Sequence, residues 1–123
     1  VIIIMPHIPD KWYAFAVAQT YYEELISAGV QIYEYTPGFV HAKVFVSDND
    51  TATVGTINLD YRSLYHHFEC GTFIYNNPVV WEIERDFQNT LKTSQKITML
   101  DVKERRIGMK MVGSVLRLIA PLM

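Results

Sequence analysis

Residues 41–58 read HAKVFVSDNDTATVGTIN and combine side chains that suit chemistry at a phosphate ester. An imidazole such as His41 can attack phosphorus to form a covalent intermediate, or can give its proton to the leaving alkoxide. An ammonium and an amide, here Lys43 and Asn58, can donate hydrogen bonds to the phosphoryl oxygens as their charge develops. The segment predicts a phosphate site, and this chemistry requires neither a metal nor another cofactor.

The strands predicted at 41–47 and 51–55 flank the turn sequence DND and should form an antiparallel hairpin. Alternate residues of a strand share one face, so His41 and Lys43 lie on the same side, about 6–7 Å apart. Pairing the two strands across the turn sets Gly55 opposite Lys43. The reactive groups of the first strand are therefore expected at the end of the hairpin remote from the turn.

The residues after Gly55 should return to that same end. Gly55 allows close backbone approach and a sharp turn, which delivers Thr56 and Asn58 beside His41. Asp48 lies seven residues further along than His41, roughly 23 Å away in an extended strand, and cannot orient the imidazole. We interpret Asp48 as a structural residue that accepts backbone N–H bonds in the turn.

Glu69 is the candidate partner of His41, because it opens the predicted strand 68–75 near the hairpin. A carboxylate bound to one imidazole nitrogen fixes the tautomer and raises the basicity of the ring. The alternative for Glu69 is an ordinary ion pair at the end of a strand. The predicted catalytic residues are His41, Lys43, Asn58 and Glu69, with Thr56 and Gly55 at the substrate and no metal ligands.

The elements that position these residues follow from the apolar pattern. Their order, β-α-β-β-β-α-α, indicates the α/β class with a mixed β-sheet flanked by helices, an α/β/α sandwich. The predicted elements are a buried strand at 1–5, a helix from Trp12 to Ala28 with Asp10 as N-cap, strands at 30–35, 41–47, 51–55 and 68–75, a helix after Asn77-Pro78, a loop near 92–98 and a last helix from about Asp101.

Length and composition describe a globular chain that is one domain or half of a larger one. It has 123 residues, of which 50% are apolar and 13% aromatic, enough for a real core. Its one cysteine, Cys70, excludes an internal disulfide. No apolar run approaches the roughly 18 residues of a membrane span. The chain opens on the strand VIIIM without an initiator Met, so we expect it to be a segment of a longer protein.

The body of the chain, residues 1–100, and its tail, residues 101–123, have net charges of opposite sign. Residues 1–100 carry 6 Lys and Arg against 11 Asp and Glu, whereas residues 101–123 carry 5 against 2, a net charge of +3. At 100° per residue, the apolar side chains of 107–119 share one broad arc opposite Lys110 and Arg117. A basic helix of this kind can lie on an anionic membrane, or it can dock on another protein surface. The acidic body has no footprint for nucleic acid.

The motif also resembles a known signature. His41, Lys43, Asp48, Gly55, Thr56 and Asn58 fill H-x-K-x4-D-x6-G-[ST]-x-N, the signature of the phospholipase D superfamily. The segments YTPGFVHAK, GTINLDYRSLYHHFECG and SVLRLIAPLM are similar to the carboxy-terminal half of bacterial cardiolipin synthases of the phospholipase D type. The resemblance implies a catalytic half-domain at 1–100, with one HxK motif, followed by a basic amphipathic helix at 101–123.

In that family two halves face each other, and each contributes one motif to a shared site. The resemblance implies transfer of a phosphatidyl group between two phosphatidylglycerol molecules, which yields cardiolipin and glycerol through a phosphohistidine. His41 would then be the general acid and base rather than the nucleophile. The implied partners are phosphatidylglycerol, anionic membrane lipid, and a missing N-terminal half or a homodimer mate. The implied location is the bacterial cell membrane, with the active site facing the cytoplasm and the isolated segment inactive or weakly active.

Two other functions fit the same motif. A phospholipase D or a nuclease would use water in place of the acceptor alcohol, although the acidic body argues against a nuclease. A non-catalytic pairing module would use this segment only to hold a partner. The motif alone does not distinguish these alternatives.

Overall fold

The computed structural model describes residues 1–104 and 107–122, and the chain divides into two compact units. The first unit is Val1–Val40 with Thr93–Met123, and the second is His41–Lys92. The strands are β1 (Ile2–Pro6), β2 (Gln31–Tyr35), β3 (Lys43–Ser47), β4 (Thr51–Gly55), β5 (Gly71–Tyr75) and β6 (Ser94–Ile97). The helices are α1 (Trp12–Thr20), α2 (Tyr22–Ser27), α3 (Val79–Lys92), α4 (Met99–Glu104) and α5 (Ile107–Ile119), with a π-helical turn at Arg62–His66 and a 3-10 turn at Ala120–Leu122.

The first unit contains a mixed sheet in the order β1-β2-β6. Strand β1 runs parallel to β2, and β6 runs antiparallel to β2. The core of this unit forms where helices α2 and α4 cover the sheet, because the apolar side chains there lose nearly all contact with water. Its buried members are Tyr22, Ile32, Ile97 and Val102.

The second unit contains the antiparallel sheet β3-β4-β5, against which α3 packs. The observed register pairs Ser47 with Thr51 and Lys43 with Gly55, so the predicted hairpin is confirmed. On α3, Val80 is fully buried. The mixed α/β class is also confirmed, although the strands divide between two three-stranded sheets where the sequence suggested one.

The helix predicted over residues 12–28 is interrupted at Tyr21. The Thr20 hydroxyl donates to the Val17 carbonyl oxygen at 2.6 Å, which is the oxygen that the Tyr21 N–H would use in an uninterrupted α-helix. The Tyr21 N–H instead donates to the Ala18 carbonyl oxygen at 3.1 Å. Two helices, α1 and α2, therefore replace the single one.

Two other local predictions were wrong, while the start of the last helical region, predicted at about Asp101, differs only slightly from the observed Met99. The N-cap of α1 is Lys11, with no side-chain capping bond, so Asp10 does not cap this helix. The segment expected to be a loop contains β6, whose sequence SQKI has a single apolar residue and so carries no strand signal. The last helical region begins at Met99, where the Thr98 N–H donates to Asp101 Oδ2 at 2.7 Å in a capping arrangement.

Helix α5 packs along α1 within the first unit. A Cβ added at Gly113 would lie 2.7 Å from the Ala16 carbonyl oxygen, so only glycine permits this approach. One turn further on, the Arg117 guanidinium lies 3.9 Å from the Tyr21 ring centroid and 3.3 Å from Glu24 Oε2. The face of α5 that carries Gly113 and Arg117 is therefore the face that contacts the rest of the unit.

Candidate active site

The motif residues collect at one end of the second unit's sheet. The register places Lys43 of β3 opposite Gly55 of β4, and Gly55 opposite Gly71 of β5. His41 lies two residues before β3 and is exposed, and the Lys43 ammonium donates to the His41 carbonyl oxygen at 2.7 Å. Lys43 thus belongs to the row of paired residues Lys43, Gly55 and Gly71, and His41 lies two residues before it. The chain leaves the same row at Gly55 and continues to Thr56.

Gly55 is required at this end by the backbone of β5 and not by its own dihedral angles. A Cβ on Gly55 would lie 2.6 Å from the Gly71 Cα and closer still to the Cys70 carbonyl oxygen. Neither of those atoms can move independently of its strand, so the close approach requires a residue without a side chain. The missing side chain at Gly55 therefore allows β4 and β5 to approach each other closely at the end of the sheet where the phosphate site is predicted.

Thr56 connects the end of the hairpin to the segment that precedes β5. Its N–H donates to the Cys70 carbonyl oxygen at 2.9 Å, and its hydroxyl accepts from the Cys70 N–H at 3.1 Å. The same hydroxyl donates its proton to the carboxylate of Glu69. The described hydrogen bonds of Glu69 are thus with Thr56 and Ser63, and the proposed contact of Glu69 with the His41 imidazole stays a prediction.

The carboxylate of Glu69 has a pKa below its ordinary value of 4.5. The largest cause is the hydrogen bond from the Thr56 hydroxyl, followed by a hydrogen bond with Ser63. Partial desolvation opposes them, while electrostatic interactions with His67 and Lys43 lower the pKa further. Glu69 is therefore an ionised hydrogen-bond acceptor at neutral pH, as a residue that orients an imidazole would have to be.

Replacing Thr56 by valine is expected to raise the pKa of Glu69 toward 4.5, because the main donor to the ionised form is lost. A carboxylate with a lowered pKa stabilises the folded state above its ordinary pKa, and this contribution disappears as the pH falls through the lowered value. In the variant that contribution should be smaller, because the difference between the folded-state pKa and the ordinary pKa has shrunk, and what remains should disappear closer to pH 4.5. An NMR titration of the Glu69 side-chain carboxyl measures the change. Thr56→Ser should keep the wild-type pKa, and an unchanged pKa in Thr56→Val would contradict the assignment.

Asn58 is held by a residue that the sequence reasoning missed. Its amide donates to the hydroxyl of Ser63 at 3.3 Å, and Ser63 is buried. The Ser63 N–H in turn donates to Asp60 Oδ1 at 2.7 Å, at the start of the π-helical turn. The spacing Asp60-x-x-Ser63 is that of a side chain capping a helical turn, so the sequence signals the bond between Asp60 and Ser63 but not the contact of Ser63 with Asn58.

Asp48 lies in the turn between β3 and β4, at the opposite end of the hairpin from His41. It has a positive φ of 53°, and its carboxylate accepts from the Ser47 hydroxyl at 2.8 Å. Asn49 follows with a φ of 60°. Both residue types tolerate the left-handed region better than other side chains, which explains an Asp-Asn pair at this position.

The described ranges, 1–104 and 107–122, contain no group of three or more His, Cys, Asp or Glu side chains that could hold a metal ion. In the same ranges no helix has the length and hydrophobicity needed to cross a membrane.

Comparison with known proteins gives these residues a context. Residues 1–91 match the family described as cardiolipin synthase, PLD-like domain. The chain is 39% identical over 121 residues to cardiolipin synthase 2 of Bacillus anthracis, and 40% identical over 121 residues to a cardiolipin synthase of Clostridium perfringens. An uncharacterised protein of Streptococcus mutans is 54% identical over 121 residues.

Each of these alignments covers 98% of this chain but only 24–26% of the relative, so the chain spans about a quarter of the length of the curated proteins that it matches. No solved structure matches the chain. The family match runs from β1 to Leu91 in the last turn of α3, and it therefore includes both the hairpin and Glu69. By its sequence, the chain belongs to the family of phospholipase D-like domains of cardiolipin synthases.

Proposed function

We propose that this chain supplies one half of a phosphate site for phosphatidyl transfer. In this proposal a second motif-bearing half, either another segment of polypeptide or a second copy, supplies the other histidine. The substrates are two phosphatidylglycerol molecules, and the products are cardiolipin and glycerol. The observation that carries the proposal is the register of β3 and β4, which sets Lys43 beside Gly55 and leads the chain into Thr56 and Asn58.

In the first step the histidine of the other half attacks the phosphorus of phosphatidylglycerol, a P–N bond forms, and the bond to the glycerol oxygen breaks. His41, protonated, gives its proton to that oxygen, and glycerol leaves. In the second step neutral His41 takes a proton from a hydroxyl of the second phosphatidylglycerol. The deprotonated oxygen attacks phosphorus, the P–N bond breaks, and cardiolipin is released.

The other motif residues stabilise the negative charge that develops on the phosphoryl oxygens. The Lys43 ammonium and the Asn58 amide donate to those oxygens, and their positions are supported by the backbone pairing at Gly55 and by Ser63. Thr56 contributes its hydroxyl near the same point. Glu69, ionised, holds the His41 imidazole in the tautomer that the proton transfers need.

Product analysis tests the reaction class. The protein that carries both halves is incubated with labelled phosphatidylglycerol, and the lipids are separated. We expect cardiolipin to be the main labelled product, with glycerol released in equal amount. Phosphatidic acid as the main product would mean that water is the acceptor, and would replace the transferase with a hydrolase of the same superfamily. Incubating the chain of 123 residues alone should give little of either product.

A further inference from the structure

The outward face of α5 is apolar, although an exposed helix face in a protein is ordinarily polar. At 100° per residue, five apolar side chains occupy an arc of roughly 120° centred opposite Gly113, the residue that contacts α1. We call this arc the outer face of α5. Its members and their exposed fractions are Leu118 82%, Met111 67%, Val115 66%, Ile119 47% and Val112 43%.

Arg117, the charged residue of this helix whose side chain the structure describes, points the other way. Arg117 lies over the Tyr21 ring and pairs with Glu24, so it is directed toward α1 and α2 and away from the outer face, although the pair stays partly in contact with solvent. An ordinary amphipathic helix does the reverse, because it packs its apolar side inward and leaves charges in water. The packing of Gly113 on Ala16 fixes this orientation, since no other rotation about the helix axis brings the glycine to α1.

Charge indicates what covers the outer face. The tail, residues 101–123, has a net charge of +3, while residues 1–100 have 6 Lys and Arg against 11 Asp and Glu. A surface of negative charge would attract the tail and repel the rest of the chain. A membrane rich in anionic lipid offers that charge together with an apolar interior for the outer face, which a soluble acidic partner does not.

We propose that the outer face of α5 is a membrane-docking surface for anionic lipid. The helix lies in the plane of the lipid headgroups, with Val115 and Leu118 inserted at the boundary of the acyl chains. This surface would bring the proposed active unit to its lipid substrate, but it does not depend on the proposed reaction, because docking requires neither His41 nor turnover.

Vesicle sedimentation tests the proposal with the whole chain. The protein is mixed with vesicles of phosphatidylcholine and phosphatidylglycerol, or with vesicles of phosphatidylcholine alone. We expect at least about tenfold stronger binding to the anionic vesicles, and a weakening of that binding as salt is added. The variant Leu118→Glu should lose most of the binding, about tenfold or more, because it places a charge on the most exposed residue of the inserted face.

Phe73→Glu is the matched control, since Phe73 is also exposed, at 68%, and lies on β5 in the second unit. It makes the same change of charge and should bind vesicles like the wild type. Circular dichroism shows whether each variant keeps its helix content, and Val115→Glu repeats the test at a second position. Equal vesicle binding by the wild type and both α5 variants would overturn the proposal. So would self-association in sedimentation velocity that Leu118→Glu abolishes, if the wild type does not bind vesicles, because the face would then be a contact between copies.

Discussion

Replacing His41 by glutamine is expected to lower the rate of cardiolipin formation on the order of a thousandfold in the protein that carries both halves. Glutamine keeps the hydrogen-bonding ability of the side chain but cannot carry a proton between the two glycerol oxygens. Proton transfer by a positioned side chain contributes about 10²–10⁴-fold to a rate, which sets the expected loss. The measurement is the initial rate of labelled cardiolipin formation at saturating phosphatidylglycerol.

His66→Gln is the matched control, because His66 is an exposed histidine of the same unit at the end of the π-helical turn. It should retain a rate close to that of the wild type. A nucleophilic role for His41 would abolish the labelled lipid–protein adduct in His41→Gln, whereas the acid–base role leaves the adduct to form slowly. Wild-type activity in His41→Gln would contradict the catalytic assignment and would favour a segment that only pairs with its partner.

The second large effect is expected from Gly55→Ala, which should lower the free energy of unfolding by about 2–3 kcal/mol. The added Cβ would meet the Cys70 carbonyl oxygen and, at 2.6 Å, the Gly71 Cα, so β4 and β5 must separate locally. The displacement carries Thr56 with it, because its N–H is bonded to Cys70. Activity should therefore fall by more than the loss of folded protein explains. Urea unfolding, followed by circular dichroism, measures the stability.

Gly71→Ala gives a control one strand away on the same row of paired residues. A Cβ at Gly71 would lie 3.5 Å from Ile57 Cδ1, an ordinary van der Waals contact, and should change the stability by less than about 1 kcal/mol. Comparing the two variants separates the general effect of replacing a glycine by alanine from the specific effect of the steric clash at Gly55. Equal destabilisation by the two substitutions would show that the contact at Gly55 is not the cause.

The hairpin was predictable from the sequence because two kinds of information agree there. The alternation of side chains sets which residues share a face, and the turn DND sets which residues pair, so Lys43 opposite Gly55 followed directly. The contacts that support the site were harder to predict. Ser63 reaches Asn58 through a π-helical turn, and a turn of that kind carries no apolar period that the sequence could reveal.

The division into two sheets was not predictable from local pattern. Strand β6 joins β2 from more than fifty residues away in sequence, and Ile97 is its one buried side chain. A short edge strand with polar residues has the composition of a loop, and only its pairing with β2 makes it a strand. The break at Tyr21 likewise depended on a single hydroxyl, that of Thr20, which a helical apolar pattern does not register.

Cys70 gives the protein a ready position for a reporter group. It is the one cysteine in the sequence, and it is exposed. Its carbonyl oxygen and its N–H both form hydrogen bonds with Thr56. A spin label or fluorophore attached to its sulfur would therefore lie at the end of the sheet where the motif residues collect. The distance between labels on two copies of this chain would then report directly on whether their motif ends meet. The position most useful for following assembly of the site is already present in the native chain.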